Sequence, residues 1–167
     1  MTTKLTIMVQ ISNHEWTREA LHCACLLARN TSARIVLVQM IPVQHASWLG
    51  TGWGYLNLTD QDQADFADCK AMLEDYGVEF TSLVFQYVTP TEAIAQATEH
   101  VNANAVFAKI PKSVIPLLTA FQRWSLNRRF ISQNRQWIQY PAYDPAASAV
   151  VIETALEING LATHHIR

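Results

Sequence analysis

Two apolar, β-branched runs, Lys4–Ile11 (KLTIMVQI) and Arg34–Val43 (RIVLVQMIPV), flank a segment in which Trp16, Ala20, Cys23, Ala24 and Leu27 recur at helical spacing. A strand covered on both faces reads as a nearly continuous apolar run, because neither side carries polar groups to water. The helix between two such strands lays its single apolar face on the sheet. Strand, helix and strand in this order imply a parallel pair with a right-handed crossover.

The alternation continues along the chain. Thr59 begins an acidic helix that reaches Tyr76 and stops at Gly77, with Ala64, Phe66, Met72 and Leu73 as its buried side. Phe80–Val88 (FTSLVFQYV) reads as a third strand. Thr89-Pro90-Thr91-Glu92 then supplies a capping hydroxyl, a proline at the first helical position and early negative charge. That helix runs to about Val101, and Ala105–Ile110 (AVFAKI) is a fourth strand. Ser113 to Ser132 is helical, and Arg135–Tyr140 (RQWIQY) is a fifth strand whose polar alternation suits a sheet edge or a subunit contact. Asp144-Pro145 and Asn159-Gly160 bracket a last helix. The expected architecture is a three-layer α/β domain over residues 1–141, with a five-stranded, mainly parallel sheet and helices on both faces. Residues 142–167 form a helical extension packed on, or exchanged with, the same domain.

A chain of 167 residues suffices for one continuous core. With 16% charged residues and a formal charge of −2, it presents no overall field for nucleic acid or membrane. No apolar run approaches the ~20 residues of a membrane span, and the N-terminus has no signal-peptide layout. Cys23, Cys25 and Cys69 are an odd set, two of them on different sides of one helix. They read as core-filling thiols in a reducing cytoplasm, not as a disulfide framework or a metal site.

In such sheets ligands bind beyond the carboxyl ends of the strands, where the strand order reverses. Here those ends are Ile11–His14, Met40–Val43, Val88–Pro90 and Lys109–Ser113. The first turn, Ile11-Ser12-Asn13-His14-Glu15, contains no glycine, and none occurs from residue 78 to 159. Glycine is what lets backbone amides approach a phosphate.

The residues resemble the universal stress protein family. Ala20-Leu21, the small-residue helix to Ala28-Arg29, and Ala33-Arg34-Ile35-Val36-Leu37-Val38 look like its first βαβ unit. Thr89-Pro90-Thr91-Glu92-Ala93-Ile94 and Glu99-His100-Val101-Asn102-Ala103-Asn104 are similar to its third helix and the lead into its fourth strand. The likeness spans roughly residues 4–140 and implies a Rossmann-like, adenine nucleotide alpha hydrolase-like fold. It also implies a homodimer formed through the last strand, so that Trp137, Ile138 and Tyr140 would contribute. ATP-binding members of the family carry an aspartate and then a glycine after the first strand, where this chain has Ser12 and Asn13. Their glycine-rich loop after the fourth strand is replaced by Lys109-Ile110-Pro111-Lys112-Ser113.

Ser12 cannot supply a charged acceptor to a ribose hydroxyl. Ile110 and Pro111 place bulk, and remove an amide, where a phosphate cradle would lie. The degenerate site positions are Ser12, Asn13, Met40, Ile41, Lys109, Lys112 and Ser113. The reading favoured is a non-catalytic, homodimeric stress-response or signalling adaptor with no bound cofactor. A rebuilt pocket for an adenine nucleotide such as ATP or AMP, or for another anion, is the alternative; Lys109, Lys112 and the amides after Ser113 are where an anion would sit.

Arg123, Arg128, Arg129 and Arg135, interleaved with Trp124 and Trp137, fit a polar face, or a contact with the acidic helix Asp60–Asp75 of a neighbouring subunit, better than nucleic acid. Trp48-Leu49-Gly50-Thr51-Gly52-Trp53-Gly54-Tyr55 is not a phosphate loop, since no helix opens from its glycines. It suits an aromatic lid or a docking loop for a protein partner, and packing on the chain's own core is an equal account. His14 lies at the mouth of the site with no residue spaced to form a triad. The chain contains no HExxH, CxxC or nucleophile elbow.

Overall fold

The computed structural model describes residues 4–52, 59–110, 116–133 and 135–138, with the backbone alone for 116–118. Five strands, β1 (Thr6–Ile11), β2 (Arg34–Pro42), β3 (Phe80–Tyr87), β4 (Ala105–Phe107) and β5 (Gln136–Ile138), alternate with four α-helices. These are α1 (His14–Thr31), α2 (Asp60–Asp75), α3 (Pro90–His100) and α4 (Pro116–Ser132). The strands form one fully parallel sheet in the order β3-β2-β1-β4-β5. The strand order therefore reverses between β1 and β4.

Alternation along the strands sorts the core into two layers. Ile7, Val9, Ile35, Leu37 and Phe107 face α1 and α2, meeting Trp16, Leu21, Cys69 and Leu73. Met8, Val36, Val38 and Val106 face the other way and meet Ile94 of α3 and Leu126 and Phe130 of α4. Both faces of β1 and β2 are covered, which is why their sequences lack polar alternation.

The start signal acts as expected at α2, while at α1 and α3 the first polar side chains are not used as caps. Thr59 does cap α2, in a reciprocal box with Asp62: the Thr59 hydroxyl accepts from the Asp62 amide, and the Asp62 carboxylate accepts from the Thr59 amide. The Thr59 amide, and then its hydroxyl, donate to the Asp62 carboxylate and hold it below its usual range. Neither Asn13 nor Thr89 uses its side chain as a cap. At α1 the buried Thr17 hydroxyl turns back instead, accepting from the Ser12 amide at 2.9 Å and donating to the Asn13 carbonyl at 3.0 Å. A residue one turn inside the helix thus ties down the chain just before it.

The three cysteines are buried and form no disulfide. Burial raises the Cys25 and Cys69 thiols to about 11, so both stay protonated and unreactive at neutral pH. The C-terminal helix expected from residues 142–167 lies outside the described residues, as do Pro111, Lys112, Ser113 and Tyr140.

Candidate functional site

At the carboxyl ends of β1 and β2, Ile11, Ser12, Met40, Ile41 and Pro42 border an open cleft of about 360 Å³. That volume falls in the range of small-ligand sites, roughly 300–1,000 Å³. Tyr87 from the end of β3 and Asp62 from the first turn of α2 close one side, and Lys109 closes the other. Two largely buried amide side chains, Gln10 and Gln39, contribute to the lining. Burial also pushes the Tyr87 hydroxyl above its ordinary range, keeping it a neutral donor.

The polar geometry centres on the reversal of strand order. β1 and β4 pair through Ile7–Ala105, Met8–Val106 and Val9–Phe107, and then the ladder ends. Beyond it, the Lys109 amide donates to the side-chain carbonyl of Gln10 at 3.0 Å. The Lys109 ammonium reaches across to the Asn13 side-chain oxygen at 2.7 Å. One lysine therefore spans the crevice between β1 and β4 with both backbone and side chain. This is the place where a parallel α/β sheet receives its ligand.

The sequence-derived site residues divide accordingly. Ser12, Met40, Ile41 and Lys109 border one cleft, and Asn13 is tied to it through Lys109. Lys112 and Ser113 lie outside the described residues. Ile110 corrects an expectation: it is buried against the α3–α4 layer with Ile94 and Val106, so its side chain does not stand in the crevice. The Lys109–Asn13 hydrogen bond crosses the β1–β4 gap at an exposed position, and the space above β1 and β2 is open.

Gln10, Gln39, Asp62 and Tyr87 were not singled out from the sequence. The signal was present, since Gln10 and Gln39 each interrupt an apolar run just before the carboxyl end of its strand. A polar residue at that position faces the site.

Other candidates are placed as follows. Trp137 packs edge-to-face on Phe130 and donates its indole N–H to the Ala108 carbonyl at 3.3 Å, and Ile138 is buried in the core. The described part of the aromatic loop is fastened to β3: Gln86 accepts from the Gly50 amide at 2.7 Å and donates to the Thr51 carbonyl at 2.9 Å. Trp48 packs edge-on to His45. Trp53 and Tyr55 lie outside the described residues. His14 pairs with Asp65 of α2 at 3.4 Å, away from the cleft lining. Arg129 binds Glu92 and Glu99 of its own chain, which accounts for part of the basic segment without a partner. Phe121 and Trp124 remain exposed on α4, with Arg128 over the Trp124 ring. Among the described residues there is no metal-ligating cluster, and no helix is long and apolar enough to cross a membrane.

No family model and no curated protein matches the chain by sequence. Solved structures do match it. A universal stress protein family member from Burkholderia pseudomallei aligns with a TM-score of 0.61 at 15% identity, covering 85% of this chain and 99% of that one. A universal stress protein solved in complex with cAMP aligns at 0.60 with 12% identity, over 83% and 98% of the two chains. One from Archaeoglobus fulgidus aligns at 0.52 with 18% identity, over 80% and 91%. The chain has the universal-stress-protein fold.

Proposed function

We propose that this chain, built on the universal-stress-protein fold, is a non-catalytic stress-response or signalling adaptor whose nucleotide site has been converted into a lysine-bridged cleft. The observation that carries the reading is the Lys109 to Asn13 hydrogen bond across the β1–β4 gap. A ribose or phosphate entering there would have to displace a charge-assisted bond, and it would find no carboxylate at Ser12 to replace it. Among the described residues that line the cleft there is no nucleophile–base pair either: the Asp62 carboxylate is engaged by Thr59, and Lys109 is engaged by Asn13.

The adaptor is proposed to act in the cytoplasm as a homodimer through β5, the strand that ends the sheet. Since Trp137 and Ile138 pack inward, the backbone edge of β5 would carry the pairing, with Tyr140 adding side-chain contact. Light scattering on the intact chain is expected to give twice the chain mass. The loop around Trp48, clamped by Gln86, is the proposed surface for a protein partner.

A second reading rests on the open volume above Ile11 and Ile41 and on the amides of Gln10 and Gln39: a small polar ligand, an adenine nucleotide or another anion, occupies the cleft without using the β1–β4 gap. The cAMP complex of one structural neighbour makes cyclic nucleotides a natural probe. Thermal shift with ATP and magnesium, AMP and cAMP separates the two. A ligand present at 100 times its Kd stabilises the folded state by about 2.7 kcal/mol. The adaptor reading expects no shift with ATP. A shift confined to AMP or cAMP supports the second reading, and a saturable shift with ATP contradicts the first.

A further inference from the structure

α4 is apolar on two sides. Leu126 and Phe130 face the sheet and are buried. At about 100° per residue, Phe121, Trp124, Arg128 and Ile131 fall together on the side turned away from it. There Phe121, Trp124 and Ile131 are 61%, 56% and 68% exposed. The Phe121 and Trp124 rings pack on each other at 5.9 Å between centres, and the Arg128 guanidinium lies over the Trp124 ring. Their spacing of i, i+3, i+7 and i+10 is that of a seam along which one helix lies on another. A contiguous apolar stripe left in water marks an interaction surface.

Charge says what that seam fits. α4 carries three arginines and no acid. Arg129 is engaged by Glu92 and Glu99, whereas Arg123 and Arg128 are exposed and make no ion pair among the described residues. α2 of the same chain has the opposite makeup, with six acids and one lysine. Its buried side is formed by Cys69 and Leu73, and the side turned to water runs through Ala64, Ala67 and Ala71, all exposed, at i, i+3 and i+7. Asp60, Asp68, Glu74 and Asp75 border this strip, exposed and without an ion pair among the described residues. A floor of methyl groups between carboxylates is the complement of a ridge of rings between guanidinium groups. Small residues let a second helix approach closely and receive its large side chains. The carboxylates supply the acceptors that Arg123 and Arg128 lack.

We propose that the outer face of α4 docks on the outer face of α2 of a second copy of this chain. The two faces belong to opposite layers, since α2 packs with α1 on one side of the sheet and α4 with α3 on the other. The contact is therefore heterologous, α4 of one copy on α2 of the next, and it leaves one face of each kind open at the ends of the assembly. It is separate from the β5 edge and from the cleft. One helix face on another belongs to the small, transient class of interfaces, below about 1,200 Å². Dilute chain thus keeps the state set by β5, and this contact adds to it at high concentration.

Sedimentation velocity on the intact chain, from about 10 μM to about 1 mM, reads a contact of this strength. Association beyond the dilute species is expected to grow with concentration at about 50 mM salt and to weaken at about 500 mM. Trp124→Glu on α4 and Ala67→Arg on α2 change exposed positions, so thermal unfolding should stay as in the parent while each weakens the association at least about tenfold. Mixing the two variants should restore it, because each supplies the face that the other lacks. A parent that does not associate further at about 1 mM overturns the proposal. So does Ala67→Arg that associates like the parent, which would pair α4 with its own kind, or a mixture no more associated than either variant alone. Co-sedimentation of the parent with vesicles of phosphatidylserine and phosphatidylcholine, without self-association, would give the α4 face to a membrane and overturn it as well.

Discussion

Phe130→Ala is expected to lower the folding free energy by about 3–5 kcal/mol, the cost of deleting a fully buried phenyl ring and leaving a cavity. Phe130 is 0% exposed and is shared by three elements. It lies on α4, packs with Ile94 of α3 and Val106 of β4, and receives the Trp137 indole of β5 edge-on at 6.2 Å between ring centres. Its backbone carbonyl also accepts from the Arg135 amide at 2.9 Å, where the chain turns into β5. At about 2–4 °C per kcal/mol for a chain of this size, thermal unfolding should begin about 6–20 °C lower. Circular dichroism melting checks this. A loss below about 1 kcal/mol would mean that α4 does not seat on the sheet through this ring.

Gln10→Leu is the second large effect, and it acts at the site. The substitution keeps the volume and removes the acceptor for the Lys109 amide. That amide stands just past the end of the β1–β4 ladder, so no strand carbonyl replaces the lost partner. An N–H left unpaired costs about 1–3 kcal/mol, with water in the adjoining cleft favouring the lower part of the range. Chemical denaturation should show the loss, and hydrogen exchange should show the Lys109 amide exchanging much faster while amides in β2 keep their protection. An unchanged Lys109 amide would show that Gln10 does not hold the end of β4.

The fold was legible because its signals are local and agree with one another. KLTIMVQI and RIVLVQMIPV are apolar on both faces, Thr59 and Gly77 bound α2, and Pro90 stands in the first turn of α3. Each marks an element without knowledge of its neighbours. The site was legible only in outline. Ser12, Asn13 and Lys109 follow from the rule that ligands meet the carboxyl ends of strands. Their arrangement does not, since Lys109 and Asn13 are 96 residues apart and their hydrogen bond is a product of strand order. Ile110 differs from expectation for a related reason. Its place at the carboxyl end of the fourth predicted strand suggests the rim, whereas the alternation of Val106, Ala108 and Ile110 carries it into the α3–α4 layer. Gln10 and Gln39 are hard to see in the sequence because a buried strand reads as an apolar run, and an interruption near the end of such a run is the mark of a residue serving the site. Thr17 holds the turn before α1 because a buried hydroxyl competes for nearby backbone groups, a choice that helical spacing cannot reveal.

The central claim is that Lys109, held on Asn13, occupies the gap in which this fold would otherwise receive a nucleotide's ribose and phosphates. A crystal structure determined after incubation with ATP and magnesium tests it most directly. The account predicts the Lys109–Asn13 bond intact and no nucleotide between β1 and β4. Density for a triphosphate lying against Asn13, with the Lys109 ammonium swung onto it, would contradict it.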